Sequence, residues 1–226
     1  MSGLNEGVYG FVQAGRQVAP ADIDLTQQYI ITHPSLSVSA IGTVSSTGTA
    51  AFVLDNIRPD YPRTLAVSIL GVAGGMGGTV TLGGWDQFGQ PITDTVGFGS
   101  AAGGGTVATT KIFGRVQGGT INGLAGLGGT AIGTARIGYE FGTATGRVAK
   151  FGLPTKIAAV SDVRNITYTS QGVGGTALNG GTIAAANVDV TNSAFIPNRI
   201  LAGTEVYTVA VKSTYDNAGK PNMSLA

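Results

Sequence analysis

The sequence predicts an all-β protein, a β-sandwich or barrel-like arrangement of antiparallel sheets with extended terminal arms. Threonine, valine and isoleucine dominate the segments in which apolar and polar residues alternate, and glycine clusters separate these segments at short intervals. No segment shows the period of a long amphipathic helix. With 226 residues, the chain is long enough to bury a core without a disulfide or a metal.

The strand predictions begin in the first third of the chain. Apolar residues alternate with serine over residues 36–44, which is typical of a strand with one buried face. Residues 50–55 and 63–71 are apolar on both faces, as expected for strands buried between two layers.

The middle of the chain predicts a hairpin. Residues 80–86 and 91–98 are strand-like, and the segment Gln87-Phe88-Gly89-Gln90 between them is short enough for a tight connection. Gly89 can take a positive φ, and Pro91 suits the first position of a strand because it lacks an amide hydrogen. The glycine-rich loop that follows is expected to become ordered against a neighbour.

Two further strands are predicted near the C-terminal end, over residues 164–170 and 204–215. Helix is limited to one turn within residues 20–30 and to residues 183–189, where a strand is an equal alternative.

We predict three parts along the chain: an extended N-terminal arm at 1–27, a main β domain at 28–150, and a second β subdomain or a continuation of the same sandwich at 151–226. The boundary is placed where glycine-rich sequence is followed by Gly152-Leu153-Pro154.

The composition argues against several classes of function. Charged residues make up 11% of the chain and the net charge is +1, so we expect binding neither to nucleic acid nor to a membrane surface. There is no cysteine and only one histidine, His33, which argues against a thiolate metal site, a multi-histidine metal centre or a histidine-based triad. Such a low surface charge suggests that partners cover part of the surface. We expect an unexported, soluble protein with no cofactor.

Two kinds of motif could carry chemistry, and neither is convincing. Residues 126–131 fit the G-x-G-x-x-A pattern of a dinucleotide-binding turn, but no helical pattern follows them. The aspartate pairs could serve a glycosidase or, for the first pair, a calcium site. Acids are few and there is one tryptophan, so we predict no enzyme. The pairs are Asp22 with Asp24, Asp55 with Asp60, and Asp86 with Asp94.

The loop 57–63 is the best candidate for a binding surface. Two prolines stiffen it, and it presents arginine and tyrosine, which are enriched in protein interfaces. An equal alternative is a local ion pair of Arg58 or Arg63 with Asp60 on a surface turn. The tryptophan is either a plug between sheets or an anchor at a subunit contact. The candidate interface residues are Arg58, Tyr61, Arg63, Trp85, Phe88 and Phe98.

The hairpin also carries a resemblance to a known family. The segment TVTLGGWDQFGQPITDTVGFG is similar to the pattern G-x-D-x-[YF]-G-x-P-[IV]-[TS]-[DE]-T of the glycine-, threonine- and alanine-rich β structural proteins of tailed bacteriophages, often encoded beside the major capsid protein. A glycine-rich spacer and a Lys-x-Phe strand follow, matched by Lys111 and Phe113, and FGLPTKI at 151–157 also fits. The resemblance covers roughly residues 64–157. The chain departs from it in having Gly-Gly-Trp where Thr-Gly-Thr is more usual.

The resemblance implies a capsid decoration or cement protein, a homotrimer on the exterior of the virion, made in the host cytoplasm. Its partners would be the major capsid protein and other copies of itself, and it would act by physical stabilisation without chemistry. A tail-tube, neck or other virion component is the first alternative. A carbohydrate-binding or glycan-hydrolysing β-sandwich is the second.

Overall fold

The protein is all-β, as predicted. The computed structural model describes residues 12–13, 16–17, 25–46, 49–70, 78–98, 105–123, 133–140, 148–170, 185–197 and 200–213. These residues form strands and two three-residue 3₁₀ segments, at 160–162 and 185–187. The strands are β1 (Val12–Gln13), β2 (Arg16–Gln17), β3 (Leu25–Thr32), β4 (Gly42–Ser46), β5 (Ala50–Ile57), β6 (Leu65–Leu70), β7 (Gly78–Trp85), β8 (Pro91–Phe98), β9 (Gly105–Ala108), β10 (Arg115–Asn122), β11 (Gly133–Tyr139), β12 (Phe151–Gly152), β13 (Val163–Ser170), β14 (Val188–Asp189), β15 (Ala194–Phe195) and β16 (Glu205–Ser213).

Eight of these strands pair in a nested order. β4 pairs with β11, β5 with β10, β6 with β9, and β7 with β8, so this part of the chain is one long hairpin folded over on itself. The pairs β6–β11 and β7–β10 join the strands into two four-stranded antiparallel sheets, β4-β11-β6-β9 and β5-β10-β7-β8. Nested pairing of eight strands in two sheets is the topology of a jelly roll. The predicted β-sandwich is therefore confirmed.

The first hydrophobic core lies between these two sheets. Val80 and Leu82 on β7 face Leu65 and Val67 on β6, and all four side chains have an exposed fraction of 0%. Each buried side chain of this size contributes about 1.5–3 kcal/mol relative to exposure. The alternation of buried and half-buried residues along β7 leaves every second side chain on the outer face.

A second hydrophobic core lies beside the jelly roll. It is covered by the sheet β13-β16-β3 and by the short sheet β12-β15-β14. Tyr207 of β16 stands at its centre, with its ring 5.2 Å from the rings of Tyr168 and Phe195. Ile31 of β3 is fully buried in the same core.

The hairpin prediction is confirmed in detail. β7 and β8 pair antiparallel with Trp85 opposite Pro91, and Pro91 is the first residue of β8. Gly89 in the connection has a φ of 79°. The proline therefore takes the one strand position where a missing amide costs least, and the glycine takes the left-handed position of the turn.

Two predictions for the first third of the chain are wrong in part. Within residues 36–44, the strand begins only at Gly42, because residues 38–39 form a turn in which the Ala40 amide donates to the Ser37 carbonyl at 3.5 Å. Residues 50–55 do form a strand, but it is not buried on both faces. β5 lies at the edge of its sheet, and Val53 is 75% exposed. The segment 63–71 holds β6, whose described side chains are buried or half-buried.

The two weak helix candidates have different outcomes. Residues 25–30 belong to a strand, β3, while residues 20–24 lie outside the described residues. Residues 185–187 form one 3₁₀ turn that leads directly into β14.

The division into domains stays a prediction, but the strand pairing bears on how it is drawn. β3 pairs along its full length with β16, so residues near the start of the chain share a sheet with residues near its end. Most of the predicted arm lies outside the described residues, as does the G-x-G-x-x-A segment at 126–131.

Close approach of strands makes glycine necessary on β10. A Cβ added at Gly119 would collide with the Thr81 carbonyl oxygen, so we expect Gly119→Ala to lower the free energy of unfolding by about 1–3 kcal/mol. Gly97→Ala on β8 of the same sheet is the control, because nothing lies within 4 Å of its Cβ position. We expect a change there within about 0.5 kcal/mol in urea unfolding. Equal losses at both positions would contradict a steric cause.

Candidate interaction surface

Arg63 joins the two cores. Its backbone forms bridges with Phe113, which belongs to the first core, and with Phe151, which belongs to the second. The amide of Arg63 donates to the Phe113 carbonyl at 3.1 Å, and the amide of Phe113 donates back at 3.0 Å. Both cores are thus attached to one residue.

The Arg63 side chain is buried between aromatic rings, with an exposed fraction of 0%. Its guanidinium carbon lies 4.6 Å from the ring centre of Tyr139 and 4.7 Å from that of Phe151. Burial lowers the pKa of Arg63 below its usual value, and the Asp60 carboxylate opposes this shift without cancelling it. The two oxygens of Asp60 each lie 3.1 Å from one terminal nitrogen of the guanidinium. The buried charge is therefore compensated inside the chain.

Two backbone carbonyls bind the terminal nitrogens of this guanidinium, while its Nε is buried with no hydrogen-bond partner among the described residues. One terminal nitrogen donates to the Ser35 carbonyl at 3.0 Å and the other to the Glu140 carbonyl at 2.8 Å. The ion pair with Asp60 exists, with the guanidinium buried and the carboxylate partly exposed. Arg63 has no exposed side-chain surface in this chain that could contact a partner.

Tyr61 also has an internal role. Its hydroxyl accepts a hydrogen bond from the Thr32 amide at 2.9 Å and donates to the Thr32 carbonyl at 3.0 Å, at the end of β3. Its ring packs edge-on against Phe151, with the ring centres 6.1 Å apart. Arg58, in the same loop, is exposed and makes no hydrogen bond or ion pair within the described residues.

The β7–β8 connection is a tight turn held by side-chain hydrogen bonds. One carboxylate oxygen of Asp86 accepts the amides of Phe88 and Gln90, both at 2.8 Å, and this fixes the turn. Trp85 is half-buried on the outer side of the sheet, and the Arg115 guanidinium lies 3.7 Å above its ring. The expectation that the tryptophan plugs the space between the sheets is therefore wrong.

A cavity of about 400 Å³ lies between this turn and the second core. Its two walls are tied together by Gln87, whose amide donates to the Asn192 carbonyl at 2.8 Å, and by the Asn192 amide, which donates to the Thr110 carbonyl at 3.4 Å. The lining is part apolar and part polar, and it includes the exposed Lys111 and Lys156. The lining residues are Asp86, Gln87, Phe88, Ile92, Lys111, Ile112, Lys156, Ile157, Val190, Thr191, Asn192 and Ser193.

The wall formed by residues 189–193 is held by an ion pair. Lys150 contacts the Asp189 carboxylate at 2.7 Å, and the Asn192 amide donates to the same oxygen at 2.8 Å. Burial raises the pKa of Asp189, but the bonds from Lys150 and Asn192 outweigh it and hold the pKa below its usual value. The carboxylate therefore stays ionised and the wall keeps its shape at neutral pH.

The outer face of the sheet β5-β10-β7-β8 carries no charged side chain among its described residues between Arg115, which lies over Trp85 at the turn end, and the opposite end of the sheet. We call it the threonine face, because threonines of three strands lie side by side across it: Thr120, Thr81 and Thr95. The hydroxyls of Thr81 and Thr95 are 2.8 Å apart. Val53 stands at its edge on β5. The face consists of Ala51, Thr79, Thr81, Gly83, Thr93, Thr95, Gly97, Thr120 and Asn122.

The structure brings some of the predicted interface residues together and separates others. Trp85 and Phe88 lie close together at the turn, whereas Phe98 lies at the opposite end of β8 and packs partly against the first core. Sequence reasoning missed Lys156, whose ammonium lies 5.3 Å from the Phe88 ring centre, and Arg115. Nothing in the local sequence predicts either contact, because each joins distant segments.

The aspartates that suggested chemistry serve other purposes. Asp94 accepts the amides of Thr110 and Lys111 at 2.6 and 2.9 Å, and Asp86 fixes the turn. Asp60 pairs with Arg63, and the pair Asp22 and Asp24 lies outside the described residues. Within the described segments, no three His, Cys, Asp or Glu side chains cluster as a metal site would require, and no helix is long and apolar enough to span a membrane.

Comparison with known proteins adds little. No protein-family model matches the chain, and no curated protein matches its sequence. It is similar to a chain of a solved structure described as "Structure of infectious bursal disease virus Gx strain", at 14% identity and a TM-score of 0.24. The likeness covers 84% of this chain and 40% of that one. Such a likeness is too weak to bear on function, and the fold is defined by the strand pairing itself.

Removing the buried guanidinium is expected to separate the two cores. Arg63→Ala should lower the free energy of unfolding by about 3–5 kcal/mol, because it leaves the Asp60 carboxylate without its cation and two carbonyls without a donor. Arg63→Lys should recover only part of this, since an ammonium cannot reach all four oxygen atoms that the guanidinium binds. Arg136→Lys, at an exposed position, is the control for urea unfolding. A loss under about 1 kcal/mol for Arg63→Ala would contradict the role given to this residue.

Tyr29 on β3 should make the junction sensitive to alkali. Burial, with smaller contributions from Tyr61 and Asp60, raises its pKa from 10.0 to about 12. The unfolded chain therefore loses this proton first, and the stability it represents is present below pH 10 and is lost as the pH rises to about 12. Between about pH 9 and about pH 11.5, the urea midpoint of unfolding should fall less for Tyr29→Phe than for the wild type. An equal fall would show that other groups cause the alkaline loss.

Proposed function

We propose that this protein is a structural component of a virion, and specifically a decoration or cement protein on the outside of an icosahedral shell. It binds the major capsid protein and other copies of itself, with a homotrimer as the expected assembly. Binding to the assembled shell and not to free subunits stabilises the shell by mass action.

The threonine face is the observation that carries this proposal. It is a broad sheet surface of small, uncharged residues, with no charged side chain among the nine that form it and with Arg115 only at its turn end. Covering such a surface leaves no charge buried without a partner, and its small side chains let a second sheet or backbone come close. A free monomer gains nothing from a surface of this kind, whereas a bound subunit can bury all of it.

The fold and the sequence support the same proposal in different ways. The jelly roll is used by viral capsid proteins, and also by lectin domains and cupins, so the fold alone does not decide between them. The hairpin at 79–98, with its resemblance to phage structural proteins, favours the virion. Phe88, the aromatic residue among those that line the cavity, is half-buried and has Lys156 on one side of its ring, which does not suit a platform for stacking sugars.

A tail or neck component remains the second candidate, because a ring of subunits could also cover the threonine face. The two differ in what the purified protein does. A decoration protein binds preformed shells, whereas a tube or neck protein assembles into rings or tubes without them. A reconstruction of the virion separates them directly, by density on the outer shell or in the tail.

A charge placed on the threonine face should abolish binding to shells. The double variant Thr81→Glu with Thr95→Glu should cosediment with purified shells at least about tenfold more weakly than the wild type, because binding would bury unpaired carboxylates. Thr43→Glu on β4, opposite Arg136 on the other sheet, is the matched control and should bind normally.

Two results would count against the proposal. Undiminished binding by the double variant would show that another surface faces the shell. Equal loss in the Thr43→Glu control would show that negative charge anywhere on the protein is enough. Circular dichroism spectra of all variants establish that they remain folded.

A further inference from the structure

One carboxylate on the described surface has no intramolecular hydrogen-bond or ion-pair partner. Asp55 is exposed and makes no hydrogen bond or ion pair within the described part of the chain. Every other acidic side chain there has a partner. Asp60 binds Arg63, Asp189 binds Lys150, and Glu140 also has a partner. The other four acidic side chains accept hydrogen bonds from loop amides: Asp86, Asp94, Asp162 and Glu205.

Asp55 lies on a projection from the edge of the sheet. Between the pairs Ile57–Val116 and Val53–Gly118, three residues of β5 stand opposite one residue of β10, so β5 bulges outward at 54–56. Asp55 and Asn56 have φ values of 44° and 58°, which place both in the left-handed region. Val53, 75% exposed, is the most exposed large apolar side chain described. An apolar group and a free carboxylate thus project together.

The cavity beside the β7–β8 turn has the complementary properties. Lys156 makes no ion pair within the described residues and rests on the Phe88 ring, and the Lys111 ammonium donates only to the Thr93 carbonyl, at 2.7 Å. Ile157 and Val190 are among the apolar residues that line the same cavity. The hydrogen bonds that tie the walls together mean that the cavity exists before anything binds, which reduces the entropic cost of binding.

We propose that the projection of one copy, Val53 with Asp55, inserts into the lysine-lined cavity of the next copy. Val53 packs against the apolar residues of the cavity, and the Asp55 carboxylate lies between Lys111 and Lys156. Projection and cavity are different surfaces, so the contact is heterologous and repeats from copy to copy until a ring closes. The inference deepens the self-association in the proposed function, but it does not depend on binding to a shell.

Charge reversal tests the contact in the full-length protein, with no shell present. Sedimentation velocity should give a mass that is a multiple of 22.6 kDa for the wild type. Asp55→Lys and Lys156→Glu should each weaken self-association at least about tenfold, and the two together should restore it. Arg136→Glu removes an exposed cation elsewhere that has no ionic partner among the described residues, and it should leave self-association unchanged.

Cysteine pairing gives a second, independent readout, because the chain contains no cysteine of its own. When Val53→Cys and Lys156→Cys proteins are mixed and oxidised, the expected product is a disulfide between the two different variants. A disulfide formed by Val53→Cys alone would show that the β5 edges of two copies meet, and it would overturn the proposal.

Three further outcomes would overturn it: a wild type that is monomeric at every concentration, an Asp55→Lys variant that associates normally, or a folded double variant that stays dissociated. If a charge variant fails to fold, the cysteine mixture decides. Failure here with normal binding to shells leaves the decoration function standing. Self-association without binding to shells would support the contact between copies and count against the decoration function.

Discussion

The architecture depends on one buried cation, the guanidinium of Arg63. Removing an arginine from water costs several kcal/mol, and that cost is offset only when the surroundings supply charge and hydrogen bonds in the right geometry. Here the surroundings are an aspartate, two carbonyls and two aromatic rings, contributed by segments far apart in the sequence. The position of each segment is therefore fixed by the need to satisfy a single side chain.

The fixed junction explains why a defined cavity can exist at all. One wall belongs to the jelly roll and the other to the second core, and a cavity between loosely connected units would change shape as they moved. Arg63 at one point and the Gln87–Asn192 contact at another limit that movement. The threonine face and the cavity opening then keep a constant relation to each other. An assembly in which one surface meets a shell and another meets a neighbouring copy requires such a relation.

Sequence patterns predicted what is local in this fold and missed what is distant. The hairpin followed from Gly89 and Pro91, because turn chemistry depends on adjacent residues. The pairing of β3 with β16 could not follow from any pattern, since alternation shows that a strand has two faces and does not show which strand lies beside it. Val53 illustrates the same limit. An apolar strand is buried on both faces only if something covers it, and β5 lies at an edge.

The contacts of the acidic side chains give a second interpretation of the low charge content of the chain. Charged residues are 11% of the sequence, and among the described acids all but Asp55 are already used inside the molecule, as partners of cations or as acceptors for loop amides. The carboxylates hold the loops in place through hydrogen bonds and ion pairs, because the loops are rich in glycine and have few large side chains that could pack. Most of the described acidic side chains therefore stabilise the shape of the chain and add little free negative charge to its surface. A surface with few free charges favours association, which agrees with the self-association and shell binding proposed above.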